Sequence, residues 1–314
     1  MGGAEGLRRA ALRQAREKVV DLFFYVLIGS LSFVFVYPIL FIVSEAMKQA
    51  SDAADATVIW IPKSLSFDNF SFALDNMRFW SSFLNSALLS LGTALLQIVS
   101  CSFVAYGFAR YRFAGDHIWL ALVVFTFLVP PSTIIVPLYM MMNDLHWVNT
   151  YLPMLVPSAF GHGLKGALFV LIFIQFFRRL PAVLEEAARI DGAGAYKTYW
   201  VIMFPLARPA MLVVFLFSVV WHWNDVFEPS LFLSDPARYT LSQSLQALDA
   251  LSSQEMADAM QTSLGGGSAL GVLPTYANKI MAASLLVILP ILVLYLIAQR
   301  YFVESVERTG IAGE

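Results

Sequence analysis

The residues able to do chemistry in this chain are few, and most lie in two apolar stretches. Around 218–229 the sequence reads SVVWHWNDVFEP, which places Trp221, Asn224, Asp225 and Glu228 at i, i+3, i+4 and i+7, with Ser218 on the same helical face. An indole, a hydroxyl, an amide and two carboxylates suit a polyhydroxylated solute: the ring stacks on it and the oxygens accept hydroxyl protons. Such groups mark a pathway by default when they interrupt an apolar helix, because lipid solvates them poorly. The alternative is a structural cap, with Pro229 ending the helix. Upstream, Ser158, His162 and Lys165 share a face at i, i+4 and i+7. Three roles are open to Lys165: reaching the outer interface with its long stem, pairing with Asp225 or Glu228, or meeting an acidic substrate such as a uronate or a glycerophosphate.

Catalytic chemistry finds little support. Neither G-x-S-x-G nor H-E-x-x-H occurs, and His117, His146, His162 and His222 are scattered, so a hydrolytic Ser158–His162 dyad lacks its context. GAGAYKT superficially suggests a phosphate-cradling loop, but Tyr196 precedes Lys197 and Asp191 stands where the first glycine belongs. A bulky ring and a carboxylate there would crowd and repel a phosphate. The single cysteine, Cys101, rules out an internal disulfide and reads as a small apolar packer. The chain is therefore expected to bind no cofactor or metal of its own.

The other conspicuous polar stretch is EEAARIDGAGAYKTYWVIMFP at 185–205. Pro181 suits a first helical turn and Asp191-Gly192 a stop, which predicts a short helix PAVLEEAARI between them. On a helical projection Val183, Leu184, Ala187, Ala188 and Ile190 fall on one arc. Glu185 and Arg189 lie opposite as an i,i+4 pair, and Glu186 sits at the border. An apolar stripe rimmed by a carboxylate is suited to docking; whether it docks on another subunit or on its own membrane domain is open.

The elements that position these groups follow from composition. The 314 residues are 59% hydrophobic and only 13% charged, against roughly 25% charged in a soluble domain. Six segments are long and apolar enough to span, at about 20–44, 83–108, 118–142, 152–177, 209–233 and 280–302, given that a spanning helix needs about 20 such residues. With no period-two alternation, the expectation is an all-α membrane protein of six transmembrane helices. The net charge of −2 with no basic run gives no sign of nucleic-acid binding. Of 20 lysines and arginines, 14 fall in 1–19, at Arg110 and Arg112, in the 178–208 loop, or at Arg300 and Arg308. The positive-inside rule puts both termini and that loop in the cytoplasm. The prolines within spans predict kinks. The first half of the outer loop 234–278 is compatible with an amphipathic helix, broken by Gly265–Gly267.

A longer pattern gives the loop a relative. Glu186-Ala187-Ala188, then Gly192, then Ile202-x-Phe204-Pro205, is E-A-A-x3-G-x9-I-x-F-P. This resembles the EAA signature of permease subunits of bacterial ABC importers, with phenylalanine where leucine is usual before the proline. Gln175-Phe176-Phe177, Ala188-Arg189-Ile190-Asp191-Gly192-Ala193, Trp223-Asn224-Asp225 and Gln299-Arg300-Tyr301-Phe302-Val303 are similar to the carbohydrate permeases, in particular those like the maltose-transporter G subunit. The resemblance covers roughly 20–310. It implies the type I importer permease fold, with 20–303 as the permease domain, 304–314 as a cytoplasmic tail, and 178–208 as a coupling loop. Coupling would rest on Glu185, Glu186, Ala187, Ala188, Asp191, Gly192 and Pro205. Ser218, Trp221, Trp223, Asn224, Asp225, Glu228, His162 and Lys165 would line the solute pathway. It also implies a second permease of the maltose-transporter F type, two ATPase subunits that hold ATP and Mg, and an extracytoplasmic solute-binding protein. The setting would be the bacterial inner membrane. A stand-alone six-span channel or secondary carrier is the alternative, and it leaves the docking helix without a purpose.

Overall fold

The computed structural model describes residues 2–310 except 54, 56, 59, 164 and 264–271; side chains at 1–15, 50, 53, 131, 255, 256, 258–275 and 301–314 also lie outside the description. The described residues form helices and connecting turns, with no strand among them. Gly265–Gly267 and the side chains of the tail 304–314 are thus outside the described set.

The chain divides into two compact units, 1–71 with 258–285, and 72–257 with 286–314. In the first, the Gly2–Ala46 helix runs unbroken through Pro38. The segment after it is tied down by polar contacts. Lys48 Nζ lies 2.5 Å from Glu45 Oε1 and donates to the Val58 carbonyl at 3.0 Å, while Asn69 Nδ2 donates to the carbonyls of Ala46 and Lys48.

The second unit is organised around the Phe79–Arg110 helix. One side of it is a ladder of small or polar residues, Ser82, Ser86, Ser90, Thr93, Gln97, Cys101 and Ala105, all buried. Small side chains let neighbouring backbones approach closely, which is how helices associate where lipid removes the hydrophobic drive. Against that ladder pack the Gly166–Arg179 and Arg208–Asn224 helices. Phe169, Phe173, Phe177, Tyr199, Met203 and Val214 fill the core between them. The tightest approach is at Gly166, where a Cβ would stand 2.7 Å from the Gly161 carbonyl oxygen. Because that atom is backbone, Gly166→Ala must shift the chain. We expect a loss of about 1–3 kcal/mol, read as a lowered unfolding temperature of the detergent-solubilised protein.

Three expected spans differ from single helices. The 118–142 stretch is two helices, Asp116–Leu128 and Ile135–Asp144, around a 3-10 turn at Pro131–Thr133. Pro130 and Pro131 cannot donate, and Val129 before them is extended. The 152–177 stretch is Leu152–Ala159 followed by Gly166–Arg179, with Gly161, Gly163 and Lys165 between them all at positive φ. In 209–233 the helix stops at Asn224, and Phe227–Phe232 is a separate turn of helix.

Three described helices are each long and apolar enough to cross a membrane, Arg16–Ala46, Phe79–Arg110 and Tyr276–Arg300, and the number reaches at most five if each bent pair counts as one span. The short members of those pairs, Val183–Ile190 and Ala195–Leu206, meet their partners at 77° and 73°. They carry Glu185, Glu186, Arg189 and Lys197. Such charge suits a helix lying along an interface rather than crossing lipid. The 234–278 segment contains the Leu241–Ser263 helix, longer than the half-loop helix expected.

Candidate functional site: a bent loop helix and a broken span

The first candidate site is the loop that follows the Gly166–Arg179 helix. That helix ends at Leu180, held extended by the proline after it. The chain then turns into the helix Val183–Ile190. Its start lies two residues later than the sequence suggested, with Pro181 in the preceding turn, where its carbonyl accepts from Leu184 N–H. The far end closes as a Schellman motif: Ala193 N–H donates to the Ala188 carbonyl at 2.9 Å and Gly192 N–H to the Arg189 carbonyl at 3.0 Å. Gly192 is at φ +78, with nothing within 4 Å of where a Cβ would be. The need for glycine here is conformational, since space is free.

The faces of this helix are turned opposite to a simple amphipathic reading. Val183, Glu186, Ala187 and Ile190 are exposed, Val183 at 68% and Ile190 at 87%. Glu185 and Ala188 face the protein and are buried. The expectation of an outward Glu185–Arg189 pair is corrected: Glu185 instead approaches Arg110, with Oε1 3.6 Å from Nε. Arg110 Nη2 also donates to the Leu180 carbonyl at 2.7 Å. The guanidinium at the end of Phe79–Arg110 therefore joins the end of Gly166–Arg179 to the loop helix. The physical reason is local: a chain end full of carbonyls and a nearby carboxylate both attract a buried cation. A cavity of about 310 Å³ lies beside the pair, lined by Tyr106, Tyr111, Glu185, Arg189 and Thr198 among others.

Beyond the loop, Tyr199–Met203 forms a π-helical turn leading into Phe204-Pro205. Pro205 has no N–H to continue an α ladder, which favours the wider turn. Tyr199 is fully buried, with its hydroxyl 2.7 Å from Ser102 Oγ. The EAA-like stretch is thus anchored at both ends to the Phe79–Arg110 helix.

The second candidate site surrounds the break at 160–165. Gln97 is fully buried; its Nε2 donates to the His162 carbonyl at 3.3 Å and its Oε1 accepts from Ser218 Oγ at 2.7 Å. Ser100 Oγ donates to the Ser158 carbonyl at 2.7 Å, and His222 Nδ1 lies 2.8 Å from the Ser218 carbonyl. Backbone freed by the break is thereby satisfied by side chains, as a membrane interior requires. Gln97 and Ser100 were not singled out from sequence; the polar ladder from Ser82 to Gln97 at helical spacing was the available signal.

The stripe read across 218–228 is corrected by the helix break. Asp225 accepts from Phe227 N–H at 3.0 Å and Glu228 N–H at 3.3 Å, capping the next helix. Glu228 therefore does not continue the face of Trp221 and Asn224. Ser218 is buried, Asn224 is exposed and bonds back to the Val220 carbonyl, and Trp223 is buried with its indole N–H donating to the Val287 carbonyl at 3.1 Å. The exposed His162 ring accepts from Gly163 N–H through Nδ1, and Ser158 Oγ donates to the Met154 carbonyl. No ion pair joins Lys165 to Asp225 or Glu228 among the described residues. Its Nζ instead sits 5.7 Å from the Phe127 ring centre and 5.6 Å from that of Trp221.

Comparison with known proteins settles the family. Residues 98–308 match the family model described as "Binding-protein-dependent transport system inner membrane component". The chain belongs to this family. Among curated relatives it is 30% identical over 278 residues to the melibiose/raffinose/stachyose import permease protein MelC of Bacillus subtilis, covering 88% of this chain and 91% of that one. It is 27% identical over 289 residues to the arabinooligosaccharides transport system permease protein AraQ of Halalkalibacterium halodurans, covering 90% and 93%. In fold it matches, with a TM-score of 0.72 and 23% identity over 91% of this chain and 98% of the other, a chain of a bacterial ABC transporter involved in the import of the acidic polysaccharide alginate. This permease is thus an all-helical inner-membrane component of an ABC importer with the type I permease fold.

Proposed function

We propose that this permease is one of two membrane subunits of a sugar-class importer and that it docks through its 178–208 loop on an ATPase pair. The sugar class is supported by the import functions named for the two curated relatives. The proposed topology has six spans, three of them broken, with both termini and the 178–208 loop cytoplasmic. Partners are a second, F-type permease, two ATPase subunits that bind ATP and Mg, and an extracytoplasmic solute-binding protein. Nucleotide-driven closure of the ATPases moves the loop helix, and the two permeases rock about a shared cavity.

The observation that carries this reading is the bare outward face of Val183, Glu186, Ala187 and Ile190. A stand-alone channel or carrier gives that face nothing to do. Cys101 is buried, so Ile190→Cys introduces a reporter with little background. We expect this variant, in native membranes, to form a crosslink to a co-purifying ATPase subunit when a short bifunctional reagent is added. Solute flux through the purified chain alone, in liposomes without nucleotide, would contradict the proposal.

A further inference from the structure

Lys165 occupies a costly position. It lies in the break of a segment otherwise apolar, and its backbone is left-handed at φ 61, a region disfavoured for a residue with a side chain. It is exposed, and no ion pair of its ammonium occurs among the described residues. What surrounds it is aromatic. Its Nζ stands over Trp221 at 5.6 Å and over Phe127 at 5.7 Å, rings that belong to the separate helices Arg208–Asn224 and Asp116–Leu128. Trp221 continues into a wider platform, stacked on Phe217 at 5.5 Å and tilted against Phe169 at 5.7 Å. Phe217 is 43% exposed and Trp221 only partly buried, so the platform is open along one side.

Ring faces attract a cation, but they recover only a fraction of what an ammonium within a membrane segment costs. An exposed ammonium with no carboxylate partner among the described residues is available to an anion from outside the chain. Asp225, one of the two carboxylates expected to pair with it, is engaged by the backbone N–H groups of Phe227 and Glu228. Indole and phenyl faces beside a three-donor ammonium match a ligand that is apolar on one face and anionic at its edge. A pyranose ring presents C–H groups on its faces, and a uronic acid adds a carboxylate at its rim.

Resting on the importer reading above, we infer that Lys165, with Trp221, Phe217 and Phe127, forms a pathway subsite for a carboxylate-bearing saccharide. The lysine takes the carboxylate as a compact point charge and the rings take the sugar face.

The test uses the complete transporter, purified with its co-purifying subunits and binding protein and reconstituted into liposomes. ATP-dependent uptake is compared for trigalacturonate, neutral maltotriose and glucose 6-phosphate. We expect wild type to take up trigalacturonate, Lys165→Met to lose about tenfold or more of that uptake at equal assembled complex, and Lys165→Arg to keep most of it. Uptake of trigalacturonate by Lys165→Met at the wild-type rate overturns the assignment. So does ATP-driven uptake of maltotriose alone by wild type, which leaves the importer reading standing. A preference for the sugar phosphate refutes the carboxylate, and a defect of Lys165→Met that appears only in phosphatidylglycerol-rich liposomes assigns the lysine to lipid instead. Failure of every solute to enter with ATP defeats the importer reading itself.

Discussion

Replacing Arg110 by alanine is expected to abolish uptake and to release the loop helix from the membrane domain. The side chain is about nine-tenths buried, beside a Glu185 carboxylate buried to the same degree. Removing one member of such a pair strands the other, typically at a cost of about 3–5 kcal/mol. Arg110→Ala also removes the bond to the Leu180 carbonyl, so the end of Gly166–Arg179 and the start of the loop helix loosen together. The pair can be separated from the rest by a double-mutant cycle. Glu185→Ala in the Arg110→Ala background removes the stranded charge, so the double variant should be more stable than Arg110→Ala alone. Protease accessibility of the 180–195 loop and uptake by the assembled transporter are the readouts. A double variant as damaged as the single one, or an Arg110→Ala transporter with normal uptake, would show that the pair does not hold the loop.

The second large effect is at the opposite face. Glu186→Ala removes an exposed carboxylate with no hydrogen bond or ion pair of its own among the described residues. The chain should therefore reach the membrane in normal amount, and any loss belongs to what docks there. If a basic group of the ATPase meets Glu186, truncation costs about 2–5 kcal/mol of that contact. Uptake then falls at least about tenfold while ATPase activity persists without stimulation by the binding protein. Gly192→Val approaches the same end by another route. Space around Gly192 is open, so the penalty is the left-handed backbone, about 1–2 kcal/mol, which unwinds the Schellman end and misaims the helix. Normal coupling in both variants would mean that the outward face is not the docking face.

Much of this was legible in the sequence, unevenly. The loop helix, its glycine stop and the proline after it could be read directly, because capping chemistry is local and the E-A-A-x3-G spacing is specific. The orientation of the helix could not. A helical projection assigns the charged side to water, yet Glu185 is buried by Arg110, seventy-five positions upstream, and Ile190 is left bare. The breaks were partly visible. Pro130-Pro131 announced one of them, whereas the other depends on Gly161, Gly163 and Lys165 all adopting positive φ, and apolar length alone conceals this. The stripe through Glu228 failed because Asp225 caps a new helix rather than extending the old one. Gln97 was missed because one amide in an apolar run carries no motif; only the tertiary fold shows that it bridges the His162 carbonyl and Ser218.

The bare ridge of Val183 and Ile190 has a meaning for the cell as well as for transport. With the proposed orientation, a freshly inserted copy that has not met its ATPase would display an apolar edge to the cytosol, the kind of surface chaperones and quality-control proteases grip. Assembly hides that edge and orphanhood advertises it. On the docking proposed above, the ridge would also keep the number of surviving permeases matched to the number of ATPases available to drive them.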